Sequence, residues 1–207
     1  MGVNAKTILL AARWLSILFT PFYLPMLGVA SLFAFTYLGI LPFSYKLIVA
    51  LIVYVFTIPL PSLLIRIYRN YHGWTLWQLG YRERRAMPYV ISIMCYIVCL
   101  YVMSVMRIPH FVGGILMAAL AVQVACAMVN IWWKISTHTA AIGGVAGALT
   151  AFASLLNFNP VWWLCAVVLL GGLVGSARMI LRQHTLWQVT AGFLLGTAAA
   201  RYAILAM

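Results

Sequence analysis

The chain has 207 residues, 66% of them hydrophobic and 7% charged, with a mean hydropathy of +1.08. Because a soluble domain carries about one-quarter charged residues, a water-soluble monomer is excluded, and the length suits one compact membrane domain, 1–207. Thirteen Lys and Arg residues stand against a single acidic residue, Glu83, for a formal net charge of +12. This shortage of carboxylates excludes two-metal phosphatases, Mg²⁺ or Ca²⁺ sites and acid/base carboxylate pairs.

The cations divide the chain into six long charge-free runs. These runs are 14–45, 47–65, 86–106, 108–133, 135–177 and 183–200. A membrane-spanning helix needs about 20 apolar residues, so the fifth run holds two spans, with a turn at Asn157–Pro160. The first run is broken by Pro21 and Pro25, and Thr7 to Thr20 is interpreted as an interfacial or tilted segment before it. We predict an all-α, polytopic helical bundle with seven spans, or six if the first run does not cross.

Small and sulfur-containing side chains are frequent inside the predicted spans. The glycine pairs of the last three spans, four residues apart, let helices approach closely; they are Gly143/Gly147, Gly171/Gly175 and Gly192/Gly196. The cysteines are interpreted as buried free thiols, which indicate nothing about the redox compartment; they are Cys95, Cys99, Cys126 and Cys165.

Polar residues collect in three clusters, each at a loop-to-helix junction: 81–88, 134–139 and 177–188. Two spans separate each cluster from the next, so all three return to one membrane face. Polar groups at membrane depth indicate a functional site. The positive-inside rule would make this face cytoplasmic, an inference that weakens if the cations bind a ligand. Four other cations are interpreted as contacts to lipid headgroups; they are Lys6, Arg13, Arg66 and Arg69.

The chemistry of the second and third clusters favours an anion. His138 and His184 each stand where a helix begins, so backbone N–H groups and the positive end of the helix dipole face the same point. His184 and Gln188 are four residues apart on one helix face, so the Gln oxygen can accept from the imidazole N–H and fix its tautomer. Arg178 offers a planar donor fork suited to phosphate, and Arg82 and Arg85 in the first cluster are further candidates.

These residues resemble the motifs of the type 2 phosphatidic acid phosphatase family, membrane relatives of the vanadium haloperoxidases. The family motifs are Lys-x6-Arg-Pro, Pro-Ser-Gly-His and Ser-Arg-x5-His-x3-Asp. Residues 177–188 keep the spacing of the third motif, 135–138 match the second at Ser and His, and 85–88 keep only an Arg and a Pro of the first. The stretches 82–89 and 133–138 are similar to a small bacterial branch of the family with Gln at the end of its third motif. The resemblance covers about 82–196.

The resemblance implies roles for individual residues. His184 would be the nucleophile that forms a phosphohistidine, and His138 would protonate the leaving group. The implied phosphate-binding residues are Arg178, Arg82, Arg85, Ser136 and Lys134. The final Asp of the family is Gln188 here, and a neutral amide orients the histidine without supplying charge. No metal and no cofactor are expected.

The resulting expectation is a metal-independent lipid phosphate phosphatase in a bacterial inner membrane, acting on a phospholipid phosphate or an isoprenyl (pyro)phosphate. A catalytically weak or inactive lipid-phosphate binder or transporter on the same scaffold is the alternative, favoured by Gln188 and the poor first motif. A third interpretation is a zinc site formed by His72, His138 and His184. Nucleic-acid binding is excluded, because the charge lies in membrane loops.

Overall fold

The computed structural model describes the backbone of residues 3–35, 37–75 and 86–207, and the side chains of 6–33, 39–75 and 86–207. Within these ranges the regular structure is entirely helical. The α-helices are α1 (Val3–Leu18), α2 (Leu24–Phe35), α3 (Phe43–Thr57), α4 (Pro59–Tyr71), α5 (Ala86–Val105), α6 (His110–Trp132), α7 (Thr137–Leu156), α8 (Val161–Ile180) and α9 (Leu186–Leu205). A short 3₁₀ helix covers Tyr37–Ile40. The predicted all-α fold is confirmed.

Five helical stretches in the described part of the chain are long and apolar enough to cross a membrane. They are Phe43–Tyr71, which joins α3 and α4, and the helices α5, α6, α7 and α8. The chain is therefore a multi-pass membrane protein. The first charge-free run, 14–45, is divided between α1 and α2, with the break at Pro21. The last predicted span, α9, has 20 residues but is not among the five.

Helices α7 and α9 pack against each other more extensively than any other pair. A Cβ atom added to Gly143 would overlap the carbonyl oxygen of Phe193, and one added to Gly196 would overlap that of Ala140. The Thr197 hydroxyl also donates to the Gly143 carbonyl oxygen at 3.0 Å. The glycines thus allow the backbone contact that their spacing predicts, and this contact holds the beginnings of the two helices side by side.

Helix α1 packs against α8. Leu15 of α1 and Phe19, the residue after its end, contact a buried cluster that includes Ile142 of α7 and Val174 of α8. The segment expected to be interfacial or tilted is therefore part of the bundle. Helix α2 then contributes Val29 and Leu32, among others, to a second core cluster formed with α3, α5 and α6.

One prediction about the cysteines is wrong. Cys95, Cys99 and Cys126 are buried free thiols as expected, but Cys165 is exposed. It shares one face of α8 with Trp162 and Leu169, which are also exposed. Because these positions are spaced as i, i+3 and i+7, Cys165 lies on the outer apolar surface of the bundle.

Candidate functional site

The site is built where α7 and α9 begin. Ser136 precedes α7, and its backbone N–H donates to the carbonyl oxygen of Gln188 in the first turn of α9, at 3.3 Å. Gly192 makes this approach possible, since a Cβ there would lie 2.7 Å from both the Ser136 carbonyl oxygen and Thr139 Oγ1. The second and third polar clusters of the sequence therefore meet.

The beginning of α5 lies at the same end of the bundle. Tyr89, four residues into the described part of this helix, is buried in one core cluster with Ile135 and Ala140. The arginines of the first cluster, Arg82 and Arg85, lie outside the described residues, as does Glu83.

His184 lies just before α9 and is 7% exposed. Its Nδ1 lies 3.1 Å from Gln188 Oε1, and the same oxygen accepts the backbone N–H of Thr185 at 3.2 Å. Because a backbone N–H is only a donor, the group facing it is the amide oxygen, which is only an acceptor. His184 Nδ1 must therefore carry the proton, and Nε2 carries the lone pair when the ring is neutral. This is the contact expected from the spacing of the two residues.

A cavity of about 390 Å³ lies against His138 and Arg178. Its lining residues come from the end of α1, the beginning of α7 and the region where α8 ends; they are Arg13, Ser16, Ile17, Thr20, His138, Arg178, Leu181 and Gln183. The cavity thus brings together two residues selected from the sequence, His138 and Arg178. His184 is not among its lining residues, although the preceding residue, Gln183, is.

Arg178 stands in the last turn of α8 and is 8% exposed. Its Nη1 donates to Ser16 Oγ of α1 at 2.7 Å, a contact between side chains that are both buried. A short hydrogen bond from a charged donor is stronger than one between neutral groups. The guanidinium is therefore held at the cavity wall by a residue 162 positions away in the sequence.

Two other residues selected from the sequence lie elsewhere. Lys134 is half-buried between α6 and α7 and is not among the residues that line the cavity. His72 stacks on Trp74, with ring centroids 4.7 Å apart, and contacts Tyr68 edge-on. Among the described residues, no group of three His, Cys, Asp or Glu side chains is arranged to hold a metal ion. His72 thus belongs to an aromatic cluster at the end of α4, and the zinc interpretation has no support there.

Four polar residues of the cavity were missed from the sequence: Arg13, Ser16, Thr20 and Gln183. The interpretation of Arg13 as a headgroup contact overlooked a pattern, since Arg13, Ser16 and Thr20 recur at i, i+3 and i+7, a spacing that continues the polar face of α1 two residues beyond its end. Polar residues at this spacing in an apolar helix indicate a face turned towards other polar groups.

The model of the PAP2 superfamily matches residues 130–207, a stretch that contains α7, α8 and α9. His138, Arg178, His184 and Gln188 all lie within it. No curated protein and no solved structure matches the chain. The match to the superfamily model supports phosphatase-type activity on phosphate esters. Over residues 130–207, therefore, the chain is similar to the PAP2 superfamily.

Proposed function

We propose that the protein is a lipid phosphate phosphatase that works without a metal, through a phosphohistidine on His184. The proposal rests on one observation: Gln188 Oε1 accepts two hydrogen bonds, one from the backbone N–H of Thr185 and one from His184 Nδ1–H. This arrangement leaves the nucleophilic lone pair of His184 on Nε2, as attack on phosphorus requires. Arg178 and His138 on the neighbouring cavity wall support it with a phosphate-binding cation and a second imidazole.

In the first step, Nε2 of His184 attacks phosphorus while the bond from phosphorus to the ester oxygen breaks. His138, in its protonated form, gives a proton to the leaving oxygen, so that the lipid leaves as an alcohol. For a pyrophosphate substrate, the leaving group is a lipid monophosphate instead. The guanidinium of Arg178 binds the phosphoryl oxygens and stabilises the charge that builds on them in the transition state.

In the second step, water attacks the phosphorus of the phosphohistidine. His138 is now neutral and accepts a proton from this water, while the bond between phosphorus and Nε2 breaks. Inorganic phosphate leaves, and both histidines return to their starting protonation states. Ser136 and the backbone N–H groups at the beginning of α7 add hydrogen-bond donors to the phosphate-binding site.

The substrate is proposed to be a lipid because the site lies at one end of a bundle of apolar helices. A phosphate headgroup at that end meets the arginines, while its acyl or isoprenyl chain remains in the hydrocarbon layer. A phospholipid phosphate and an isoprenyl (pyro)phosphate share this chemistry. A bacterial inner membrane is the location that the sequence resemblance favours.

The test is phosphate release from phosphatidate or isoprenyl phosphate in detergent micelles that contain a chelator. We expect turnover by the wild-type protein and its loss in His184→Ala. His110→Ala is the matched control, since His110 is exposed at the beginning of α6, remote from the site. Equal phosphate release by wild type and His184→Ala would refute the mechanism.

The second candidate is a protein that binds or transports lipid phosphates with little or no hydrolysis. It is favoured by Gln188, because a neutral amide holds His184 without stabilising its positive charge. Gln188→Asp separates the two. If the wild-type protein does not hydrolyse the substrate and Gln188→Asp does, the binding or transport protein is favoured. If the wild-type protein is active and Gln188→Asp lowers its rate, Gln188 is the residue that supports hydrolysis.

A further inference from the structure

Helix α1 lies outside the stretch that matches the superfamily, yet it forms one wall of the cavity. Arg13, Ser16 and Ile17 lie on one face of α1 and, with Thr20 two residues beyond its end, account for half of the residues that line the cavity. Because α1 packs along α8, this face lies opposite Arg178. The cavity is therefore lined by both matched and unmatched parts of the chain.

Ser16 contacts Arg178 directly. The serine is 7% exposed, and its Oγ accepts the bond from Arg178 Nη1 at 2.7 Å. By contrast, the hydroxyl of Thr20, one turn later, donates at 2.7 Å to the carbonyl oxygen of Ile17 in its own helix segment. A guanidinium has five N–H donors in a rigid plane, so the bond at Nη1 limits how that plane can turn at the cavity wall.

Arg13 adds a second guanidinium. It is exposed, it lines the same cavity, and it lies one turn before Ser16. The complete sequence has thirteen Lys and Arg residues and one acidic residue, so most of these cations need a counter-ion from outside the chain. An anion bound beside Arg178 provides such a counter-ion for Arg13.

We propose that α1 is a working part of the site, in which Ser16 is a positioning residue for Arg178 and Arg13 binds the phosphate-bearing headgroup. This inference rests on the proposed function for the identity of the substrate, but its binding component does not need hydrolysis. Ser16 orients the donor fork that faces the transferring phosphoryl group. Arg13 attracts the negative charge of the substrate at the exposed side of the cavity.

The two residues predict different kinetic effects in the hydrolysis assay. Ser16→Ala removes a hydrogen bond to a charged group, so we expect kcat to fall about tenfold. Ser16→Thr keeps the hydroxyl and should recover most of this loss. Arg13 is expected to stabilise the bound substrate and the transition state equally. Arg13→Ala should therefore raise KM about tenfold and leave kcat little changed. Ser154→Ala on α7 and Arg66→Ala on α4 are the matched controls at exposed positions away from the cavity.

The binding component is measured by calorimetric titration of the purified proteins with inorganic phosphate. We expect Ser16→Ala and Arg13→Ala each to weaken phosphate binding, with the two control variants unchanged. Phosphate binding equal to wild type in both variants would overturn the inference while leaving the proposed function intact. If Ser16→Ala does not fold, the titration of Arg13→Ala alone tests the inference, because Arg13 is exposed. Weaker phosphate binding supports the inference, and binding equal to wild type overturns it.

The two proposals fail separately. A wild-type protein that binds phosphate through Arg13 but never hydrolyses a lipid phosphate would overturn the proposed function and support the role of α1. A wild-type protein that neither binds phosphate nor changes on Arg13→Ala would overturn the inference.

Discussion

Ser136 is fully buried at the beginning of α7, and its hydroxyl has no hydrogen-bond partner among the residues that the structure describes. It also makes no capping bond to the helix that follows it. A buried hydroxyl without a protein partner costs about 1–3 kcal/mol of stability. Such a cost is explicable if the hydroxyl serves a bound phosphate, the role proposed for it.

Ser136→Ala should therefore separate stability from function. We expect the free energy of unfolding to stay the same or rise by up to about 1 kcal/mol, while KM for the phosphate ester rises about tenfold. Thr139→Val is the comparison, because it removes the 3.1 Å bond from Thr139 Oγ1 to the Ser136 carbonyl oxygen and should lower the melting temperature. A marked loss of stability in Ser136→Ala, with KM unchanged, would assign the hydroxyl a structural role instead.

Gln188 illustrates how one side chain positions a neighbouring group. Gln188→Ala removes both bonds accepted by Oε1, so His184 is no longer held in one tautomer, and we expect kcat to fall by up to about 100-fold. Gln188→Glu keeps an acceptor oxygen at the same reach and is the control, expected to retain far more activity than the alanine variant. Steady-state kinetics of both proteins provide the measurement. Equal kcat in Gln188→Ala and wild type would contradict the positioning role.

At the scale of helices, the site depends on the contact between α7 and α9. Gly196 faces the backbone of Ala140 with no room for a Cβ atom. By contrast, a Cβ atom added to Gly172 on α8 would have no neighbouring atom within 4 Å. Gly196→Ala should therefore destabilise the protein by about 2 kcal/mol or more and reduce phosphatase activity, because α7 carries His138 and α9 follows His184. Gly172→Ala should change stability by less than about 0.5 kcal/mol. Thermal unfolding in detergent compares the two, and similar melting temperatures would contradict this view of the packing.

Much of this arrangement was predictable from local sequence patterns. The spacing of His184 and Gln188 predicts their contact, and the glycine pairs predict the close approach of helices. The turn at Asn157–Pro160 also agrees, since Asn157 ends α7 in the left-handed conformation. The contact of Ser16 with Arg178 was not predictable, because it joins residues 162 positions apart and depends on how α1 packs. The exposure of Cys165 likewise depends on which face of α8 is covered.

In the described part of the chain, the second and third polar clusters lie together at one end of an apolar bundle. Helices α5, α7 and α9 begin at that end, and the turn between α7 and α8 lies at the opposite end. From composition alone, the excess of positive charge indicated only a basic membrane protein. In the fold, two of these cations, Arg13 and Arg178, line one cavity with His138.

This topology predicts that Thr75 and Phe158 lie on opposite sides of the membrane. Single cysteines at these positions, in a background that carries Cys165→Ala, are labelled with a membrane-impermeant thiol reagent in sealed vesicles. Phe158 is used because its neighbour Asn157 has a positive φ of 51°, where a substitution would strain the backbone. We expect each cysteine to react from a different side. Reaction of both from the same side would contradict the arrangement of the helices.

The central claim is that His184 carries the phosphoryl group, and trapping the intermediate tests it most directly. In His138→Ala, a ³²P-labelled phosphate ester with a phenolic leaving group needs no proton from His138 to react, but hydrolysis of the phosphohistidine is slowed. After an alkaline quench, we predict base-stable label on the peptide that contains His184, and none when His184→Ala is added. The double variant could instead release phosphate at the same rate as His138→Ala, with no label on either protein. This result would contradict a phosphoryl group carried by His184.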